Sequence, residues 1–177
     1  MGFALARAGV RAGCGVTLVA APVSLATPES VMRVDVVSTE DMCEAVLAHL
    51  PRCDALIMAA APCDYRPVSR AVSKIKKASD ARSLELVRTP DILARVTVRR
   101  ARQIIVGFAA ETENVAAHGR EKLRGKCLDM IVANDVARQD AGFNAPTLDA
   151  EILYADGRRV AHGKEDKERL ADDIVAR

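Results

Sequence analysis

Ile104-Ile-Val-Gly-Phe-Ala-Ala110 is an uninterrupted apolar run that is followed directly by Glu111 and Thr112. Such a run is typical of a strand in a parallel sheet that is covered on both faces. Ala55-Leu-Ile-Met-Ala-Ala-Ala61 is a second run of the same type, and segments with helical patterns stand around the two. This alternation predicts an α/β domain, a Rossmann-like parallel sheet with flanking helices.

Further elements follow from periodicity, capping and turn residues. Thr89-Pro90-Asp91 predicts a helix start, with Thr89 as the N-cap and Pro90 in the first helical position. Asp156-Gly157 predicts the turn of a hairpin over 151–161, a small antiparallel extension near the C-terminus. Residues 62–88 are predicted to be irregular. The other predicted helices cover 1–13, 38–50, 113–125 and 164–177, and the other predicted strands cover 15–22, 34–37 and 128–133.

Length and composition narrow the functional classes. A chain of 177 residues predicts a single domain over 1–177. Aromatic residues make up only 3% and the net charge is +2, which argues against nucleic acid as a partner. Arg7 and Arg11 interrupt the only apolar stretch that resembles a signal peptide, and no run approaches the ~20 residues of a membrane span.

The five cysteines form no CxxC pair, so the sequence supports neither a metal site nor a redox motif built on thiols. An odd number of widely spaced cysteines in mostly apolar settings is typical of reduced thiols. These observations predict a cytoplasmic protein that has no association with membranes.

Two segments point to chemistry. Lys74-Ile-Lys-Lys77 is a compact cationic run, and Gly107-Phe-Ala-Ala-Glu-Thr112 lies where a buried strand ends. Ligands of open α/β sheets bind outside the carboxyl ends of strands, and ammonium groups suit phosphates. Together the segments indicate an enzyme that acts on a phosphorylated or nucleotide substrate. The alternative for the lysines is a solvated surface loop.

A series of motifs resembles the phosphopantothenoylcysteine synthetase family over nearly the whole chain. In bacteria this synthetase is typically the C-terminal half of a bifunctional protein whose other half is a flavin-dependent decarboxylase. Each motif alone is weak, but their order and spacing are specific. The motifs are Met1-Gly-Phe-Ala4, Gly15-Val-Thr-Leu-Val19, Asp64-Tyr-Arg-Pro67, Lys74-Ile-Lys-Lys77, Pro90-Asp-Ile-Leu93, Gly107-Phe-Ala-Ala-Glu-Thr112 and Ala133-Asn-Asp-Val136.

The resemblance implies a ligase of coenzyme A biosynthesis that joins cysteine to phosphopantothenate. The phosphopantothenate carboxylate attacks the α-phosphate of CTP to give an acyl-cytidylate, and the amine of cysteine then releases CMP. It further implies a requirement for Mg²⁺, a homodimer, and a possible decarboxylase domain upstream. Similar eukaryotic enzymes use ATP, and the sequence leaves the choice between CTP and ATP open.

The resemblance also implies the site residues. Lys74 matches a catalytic cation that stabilises charge on the reacting phosphoryl group. Metal-contacting residues are not predicted, and Phe143 and Asn144 resemble a loop of the family's antiparallel flap. The nucleotide-binding positions implied are Asp64, Lys74, Pro90, Asp91, Ile92, Leu93, Phe108, Lys122 and Lys126.

Each of these positions has a simpler structural interpretation. Asp64 suits a turn, and Pro62 beside it departs from the family's pattern and predicts a shifted loop. Pro90 and its neighbours suit helix initiation alone, and Phe108 suits the core. Lys122 and Lys126 stand four residues apart, which suits an exposed basic helix face equally well.

Family members carry a strand and a Gly-rich loop before the equivalent of Met1, so the resemblance predicts that this chain is N-terminally truncated. There are two alternatives to a ligase. A short-chain dehydrogenase is disfavoured because the sequence has no GxGxxG motif, and Ser69 stands where Tyr65 would need a lysine four residues on. A non-catalytic nucleotide-binding or dimerisation module stays open.

Overall fold

The computed structural model describes residues 1–76, 83–136 and 145–177. The helices in these ranges are α1 (Gly2–Arg11), α2 (Thr39–His49), a 3-10 turn (Leu50–Arg52), α3 (Ile92–Arg99), α4 (Val115–Gly125) and α5 (Lys167–Val175). The strands are β1 (Val16–Ala20), β2 (Val31–Asp35), β3 (Ala55–Met58), β4 (Tyr65–Pro67), β5 (Leu86–Arg88), β6 (Ile104–Glu111), β7 (Met130–Asp135), β8 (Thr147–Tyr154) and β9 (Arg159–Asp166).

The main sheet has the strand order β3-β6-β7-β8-β9. Strands β3, β6 and β7 are parallel, whereas β8 and β9 are antiparallel to their neighbours. Strands β1 and β2 form a separate parallel pair. The predicted α/β class, a parallel sheet with flanking helices and an antiparallel extension towards the C-terminus, is confirmed.

Helices cover both faces of this sheet because successive strand residues point to opposite sides. Ile105 and Ile131 pack with α2, α3 and α4, whereas their neighbours Val106 and Val132 pack with α1 and α5. All four of these side chains are almost completely buried. The apolar run that begins at Ile104 therefore contributes side chains to two separate cores. This explains why apolar and polar residues do not alternate along it.

Several sequence-based boundaries were wrong. The helix predicted over 164–177 begins at Lys167, because β9 extends to Asp166. The second strand is β2 over Val31–Asp35, not 34–37. The segment 62–88, predicted to be irregular, contains the antiparallel pair of β4 and β5. Strand β3 ends at Met58, and Met58 alone of its four residues is buried, because β3 lies at the edge of the five-stranded sheet.

The start of α3 also differs from the prediction. Asp91, not Thr89, is the N-cap: its side chain accepts a hydrogen bond from the Ala94 N–H at 3.1 Å. Thr89 is engaged elsewhere, since its hydroxyl donates to the Cys63 carbonyl at 2.6 Å and its N–H to the Asp64 carbonyl at 2.9 Å. These bonds join the entry to α3 with the segment before β4.

None of the helices in the described ranges combines the length and apolarity that crossing a bilayer requires.

Candidate functional site

A cleft of about 580 Å³ lies where the end of β6 meets the start of α3 and the outer face of α4. We call it the lysine cleft. It brings together charged groups from three consecutive elements of the chain. Its lining residues are Asp91, Ala94, Glu111, His118, Glu121, Lys122, Gly125 and Lys126.

The geometry of α4 aligns the side chains of this cleft. His118, Lys122 and Lys126 are spaced four residues apart and therefore follow one another along one helix face. Gly119 lets this helix approach the sheet: a Cβ there would lie 2.8 Å from Leu153 Cδ1 and 3.1 Å from Ala133 Cβ. Close packing of α4 thus places the lysines beside the end of β6.

Glu111 is the most deeply buried charge of the cleft. Its side chain is 11% exposed, and its Oε1 lies 2.7 Å from the Nζ of Lys122. This contact is an ion pair without hydrogen-bond geometry, and within the described ranges Oε1 has no hydrogen-bond partner. His118 Nδ1 lies 3.4 Å from the other carboxylate oxygen. Glu111 therefore restrains one lysine and faces a second titratable group.

The carboxylate of Asp91 interacts with two groups at once. While one of its oxygens caps α3, its carboxylate also lies 3.2 Å from the Nζ of Lys126. Both side chains remain partly solvated, at 51% and 37% exposure respectively. The start of α3 and the end of α4 are joined by this pair, which leaves the ammonium group of Lys126 at the mouth of the cleft.

A second cleft, of about 350 Å³, lies beside the first residues of α3. Arg66 from β4 donates a hydrogen bond to Glu40 of α2 there, and this bond holds the pKa of the Glu40 carboxyl below its usual range. The cleft mixes three guanidinium groups with two carboxylates. Its lining residues are Glu40, Glu44, Arg66, Arg88, Thr89, Pro90 and Arg95.

The structure brings three of the predicted nucleotide-binding residues together: Asp91, Lys122 and Lys126 line the lysine cleft. Pro90 lines the arginine-containing cleft next to it. Ile92 and Leu93 are buried in the core below α3, so only their backbone groups face the helix start.

The other predicted positions lie apart from the lysine cleft. Asp64 is exposed just before β4, and its carbonyl holds Thr89. Lys74 is exposed in the loop after β4 and has no hydrogen-bond or ion-pair partner among the described residues. Phe108 lies mid-strand in β6 and packs against the core on the side of α1 and α5. Lys77, Phe143 and Asn144 lie outside the described residues.

Sequence reasoning gave no role to Glu111, His118 or Glu121. A signal for two of them was present: Glu111 directly follows the apolar run of β6, and His118 precedes Lys122 by one helical turn. The missing information was that the packing of α4 on the sheet brings these side chains beside the end of β6.

The chemistry of the lysine cleft suits an anionic ligand that carries a divalent cation. Two ammonium groups provide positive charge for phosphate oxygens. The carboxylates of Asp91, Glu111 and Glu121 are oxygen donors of the kind Mg²⁺ takes together with substrate phosphates. The residues present therefore fit a nucleotide–magnesium complex.

Comparison with known proteins identifies the family. The family described as the DNA/pantothenate metabolism flavoprotein C-terminal domain matches residues 1–177. The chain belongs to this family. The resemblance that the motifs predicted is thereby confirmed, and the five-stranded sheet with its two helical layers is this family's domain in the present chain.

The relatives of this flavoprotein C-terminal domain are proteins of coenzyme A biosynthesis. The Coenzyme A biosynthesis bifunctional protein CoaBC of Escherichia coli (strain K12) is 43% identical over 185 residues, which cover 100% of this chain and 45% of that protein. A crystal structure of the C-terminal domain of CoaBC is 35% identical, with a TM-score of 0.83 over 99% of this chain and 78% of that one.

A more distant structure shares the fold alone. A Cab2 mutant in complex with phosphopantothenate-cysteine is 16% identical, with a TM-score of 0.62 over 84% of this chain and 53% of that one. The present chain spans about half the length of the curated relatives it matches.

Proposed function

We propose that this domain is the ligase part of a coenzyme A biosynthesis protein and joins cysteine to phosphopantothenate at the expense of CTP. The observation that carries the proposal is the convergence of Asp91, Lys122 and Lys126 in one cleft. These residues come from two separate segments, the start of α3 and the end of α4, and each matches a nucleotide-binding position that the resemblance to the synthetase family implies.

Two similarities support the choice of substrates. The E. coli relative is named as a coenzyme A biosynthesis bifunctional protein. The Cab2 mutant with this fold is in complex with phosphopantothenate-cysteine, which is the product that the proposed ligation would release.

The proposed reaction has two halves. The phosphopantothenate carboxylate forms a bond to the α-phosphorus of CTP, and the bond from that phosphorus to the β-phosphate oxygen breaks, which releases pyrophosphate. The cysteine amine then bonds to the acyl carbon of the acyl-cytidylate, loses a proton, and displaces CMP. Both steps depend on placing the reactants and on stabilising charge at phosphoryl oxygens.

The residues of the lysine cleft have distinct parts in this scheme. Lys122 and Lys126 bind phosphate oxygens. The side chain of Lys122 is already ordered by its ion pair with Glu111, so less conformational entropy is lost when a ligand binds. Mg²⁺ would be held by carboxylates among Asp91, Glu111 and Glu121 together with the phosphates, and when bound it neutralises charge on the triphosphate.

Three further residues have proposed roles in the same scheme. Lys74 supplies the catalytic cation from its loop, Asp64 contacts the nucleotide, and Phe108 lies against the base or ribose. The domain works as a homodimer in the cytoplasm, and a flavin-dependent decarboxylase precedes it in the full-length protein.

The test is pyrophosphate release from phosphopantothenate, cysteine and Mg²⁺ with either CTP or ATP. The chain and a version extended upstream are assayed in parallel, each as wild type, Lys74→Gln, Lys122→Gln and Arg124→Gln. Arg124 is the matched control, because it is an exposed cation on α4 that does not line the cleft.

We expect CTP-dependent release that Lys74→Gln abolishes and that Lys122→Gln reduces at least tenfold, which corresponds to about 1.4 kcal/mol. Arg124→Gln should leave the rate unchanged. Pyrophosphate release by the extended version alone would support the ligase function of the longer protein. It would leave only ligand binding, without turnover, to the chain as given. No release from either folded version would overturn the proposal and favour a nucleotide-binding or dimerisation module.

A further inference from the structure

A second cluster of metal-ligating groups lies away from the lysine cleft, where the edge strand β9 meets α5. His162 and Glu165 come from β9, and Asp173 comes from the last turns of α5. One nitrogen or oxygen of each side chain lies within 4.8 Å of the others. None of the three lines the lysine cleft or the arginine-containing cleft.

An irregularity of the backbone aims His162 at this cluster. In the pairing of β8 with β9, Ala150 lies opposite Gly163 and Glu151 opposite Ala161, so His162 is the extra residue of a β-bulge. Gly163 has φ 62°, the left-handed conformation that such bulges place on glycine. The bulge breaks the strand alternation and turns the imidazole towards α5.

The imidazole is both buried and incompletely bonded. Its side chain is only 7% exposed, and its Nε2 has no hydrogen-bond partner among the residues that the structure describes. Its Nδ1 lies 2.8 Å from an oxygen of Glu165 and 3.6 Å from an oxygen of Asp173. For ligands about 2.1 Å from a metal, neighbouring donor atoms are about 3.0–3.5 Å apart. The distances of 2.8 and 3.6 Å lie just below and just above this range.

The charges of the cluster favour a dication. The carboxylates of Glu165 and Asp173 both face the Nδ1 of one imidazole, so the cluster holds more negative charge than a proton on the ring can compensate. Uncompensated charge beside a buried side chain is costly. Arg169 relieves the negative charge only weakly, because it is 81% exposed and lies 3.7 Å from Glu165.

We propose that His162, Glu165 and Asp173 form a binding site for a first-row transition-metal dication, which ties the edge strand β9 to α5. One imidazole and two carboxylates suit Zn²⁺, Co²⁺ or Mn²⁺, with Zn²⁺ bound more tightly than Mn²⁺. Mg²⁺ and Ca²⁺ prefer oxygen donors alone, which separates this site from the nucleotide-bound Mg²⁺. Asp173 is 51% exposed, so water completes the coordination.

The experiment titrates the chelator-dialysed protein with Co²⁺, followed by visible absorption, and with Zn²⁺, followed by calorimetry and thermal unfolding. The variants are His162→Gln and Asp173→Asn. The matched controls are His49→Gln, whose ring bonds the Ala45 carbonyl, and Asp172→Asn, the neighbouring acid that pairs with Arg11. Because Asp173 is half exposed, its variant should fold even if His162→Gln does not.

We expect one equivalent of Co²⁺ or Zn²⁺ to bind and to raise the melting temperature. His162→Gln and Asp173→Asn should weaken binding at least tenfold, whereas both controls stay within about twofold, a change below about 0.5 kcal/mol. Equal binding by Asp173→Asn and wild type would overturn the site. So would an absence of binding, or a near-ultraviolet thiolate-to-cobalt band that assigns the metal to the cysteines.

Discussion

Glu111 Oε1 and Lys122 Nζ lie 2.7 Å apart, yet the two side chains differ greatly in burial, at 11% and 47% exposure. The carboxylate is fixed at the end of β6, while the ammonium group reaches it from the surface of α4. Since the carboxylate is much more deeply buried than the ammonium group, the pair is more important to Glu111 than to Lys122. The lysine is thereby held in the cleft before any ligand binds.

Replacing Lys122 by methionine should destabilise the fold more than replacing Lys126. Without Lys122, the carboxylate of Glu111 loses the ammonium group at 2.7 Å, and the His118 ring remains 3.4 Å away. An uncompensated buried group costs about 1–3 kcal/mol, and each kcal/mol lowers the melting temperature of a domain of this size by about 2–4 °C. Lys126→Met leaves a solvated Asp91, so its cost should stay below about 1 kcal/mol. Thermal unfolding of both variants compares them, and equal losses would contradict the burial argument.

Substitution at Asp91 can separate helix capping from ion pairing. Asp91→Ala removes the acceptor for the Ala94 N–H and should cost about 1 kcal/mol. Asp91→Asn keeps a capping oxygen but loses the charge that faces Lys126, so it should be nearly neutral in stability. Urea denaturation measures both variants. A loss in Asp91→Asn as large as in Asp91→Ala would mean that the ion pair, not the cap, stabilises this corner.

Two glycines of α4 should respond to alanine in opposite ways. At Gly119 a Cβ would lie 3.1 Å from the Ala133 Cβ, which cannot rotate away, and overpacking costs about 1–3 kcal/mol. At Gly125 no atom lies within 4 Å of the added Cβ, and alanine gains up to about 1 kcal/mol of helix propensity. Chemical denaturation should therefore show Gly119→Ala destabilised and Gly125→Ala unchanged or stabilised. Stabilisation of both would show that α4 can move away from the sheet.

The contact between α1 and α5 should weaken in acid. A hydrogen bond from Arg7 is the main cause that lowers the pKa of Glu168 below its ordinary value of 4.5, and Arg11 adds to it. A carboxyl whose pKa is lowered by folding contributes stability above its unfolded value, and this contribution is lost as the pH falls through the folded value. Both partners are more than 40% exposed, so the contribution should be below about 1 kcal/mol.

Glu168→Gln tests this dependence. The stability difference between wild type and the variant should be present at pH 7 and should vanish well below pH 4.5. Glu29→Gln is the control, since Glu29 is exposed and has no ion pair among the described residues. A difference that persists in strong acid would mean that Glu168 acts through packing and not through its charge.

The sequence predicted most helices and core strands because their signals are local. The apolar run of β6 and the Asp156-Gly157 turn needed no knowledge of distant residues, and Gly157 has the positive φ of 93° that such turns favour. The pair of β4 and β5 was missed because each strand has three residues, and the partners Tyr65 and Arg88 are far apart in the chain. Short strands show no periodicity until they pair.

The candidate site was predicted only in part, for a similar reason. Helical spacing placed Lys122 and Lys126 on one face, and the structure confirms that they share the lysine cleft. Their partners Glu111 and Asp91 could not be assigned to them in advance, since each pairing depends on how α4 packs against β6 and α3. The assignment of Lys74, Asp64 and Phe108 stays a prediction, because in the structure they lie outside that cleft.

The sequence by itself determined the α/β class, the family and the helical alignment of the two lysines, because each depends on the order and spacing of residues along the chain and not on contacts between distant segments. Only the tertiary structure decided which charges are buried and which groups meet. The bulge at His162 and the close approach of Gly119 to Ala133 are examples. Both result from long-range packing, where one residue's conformation is set by a surface that another part of the chain provides.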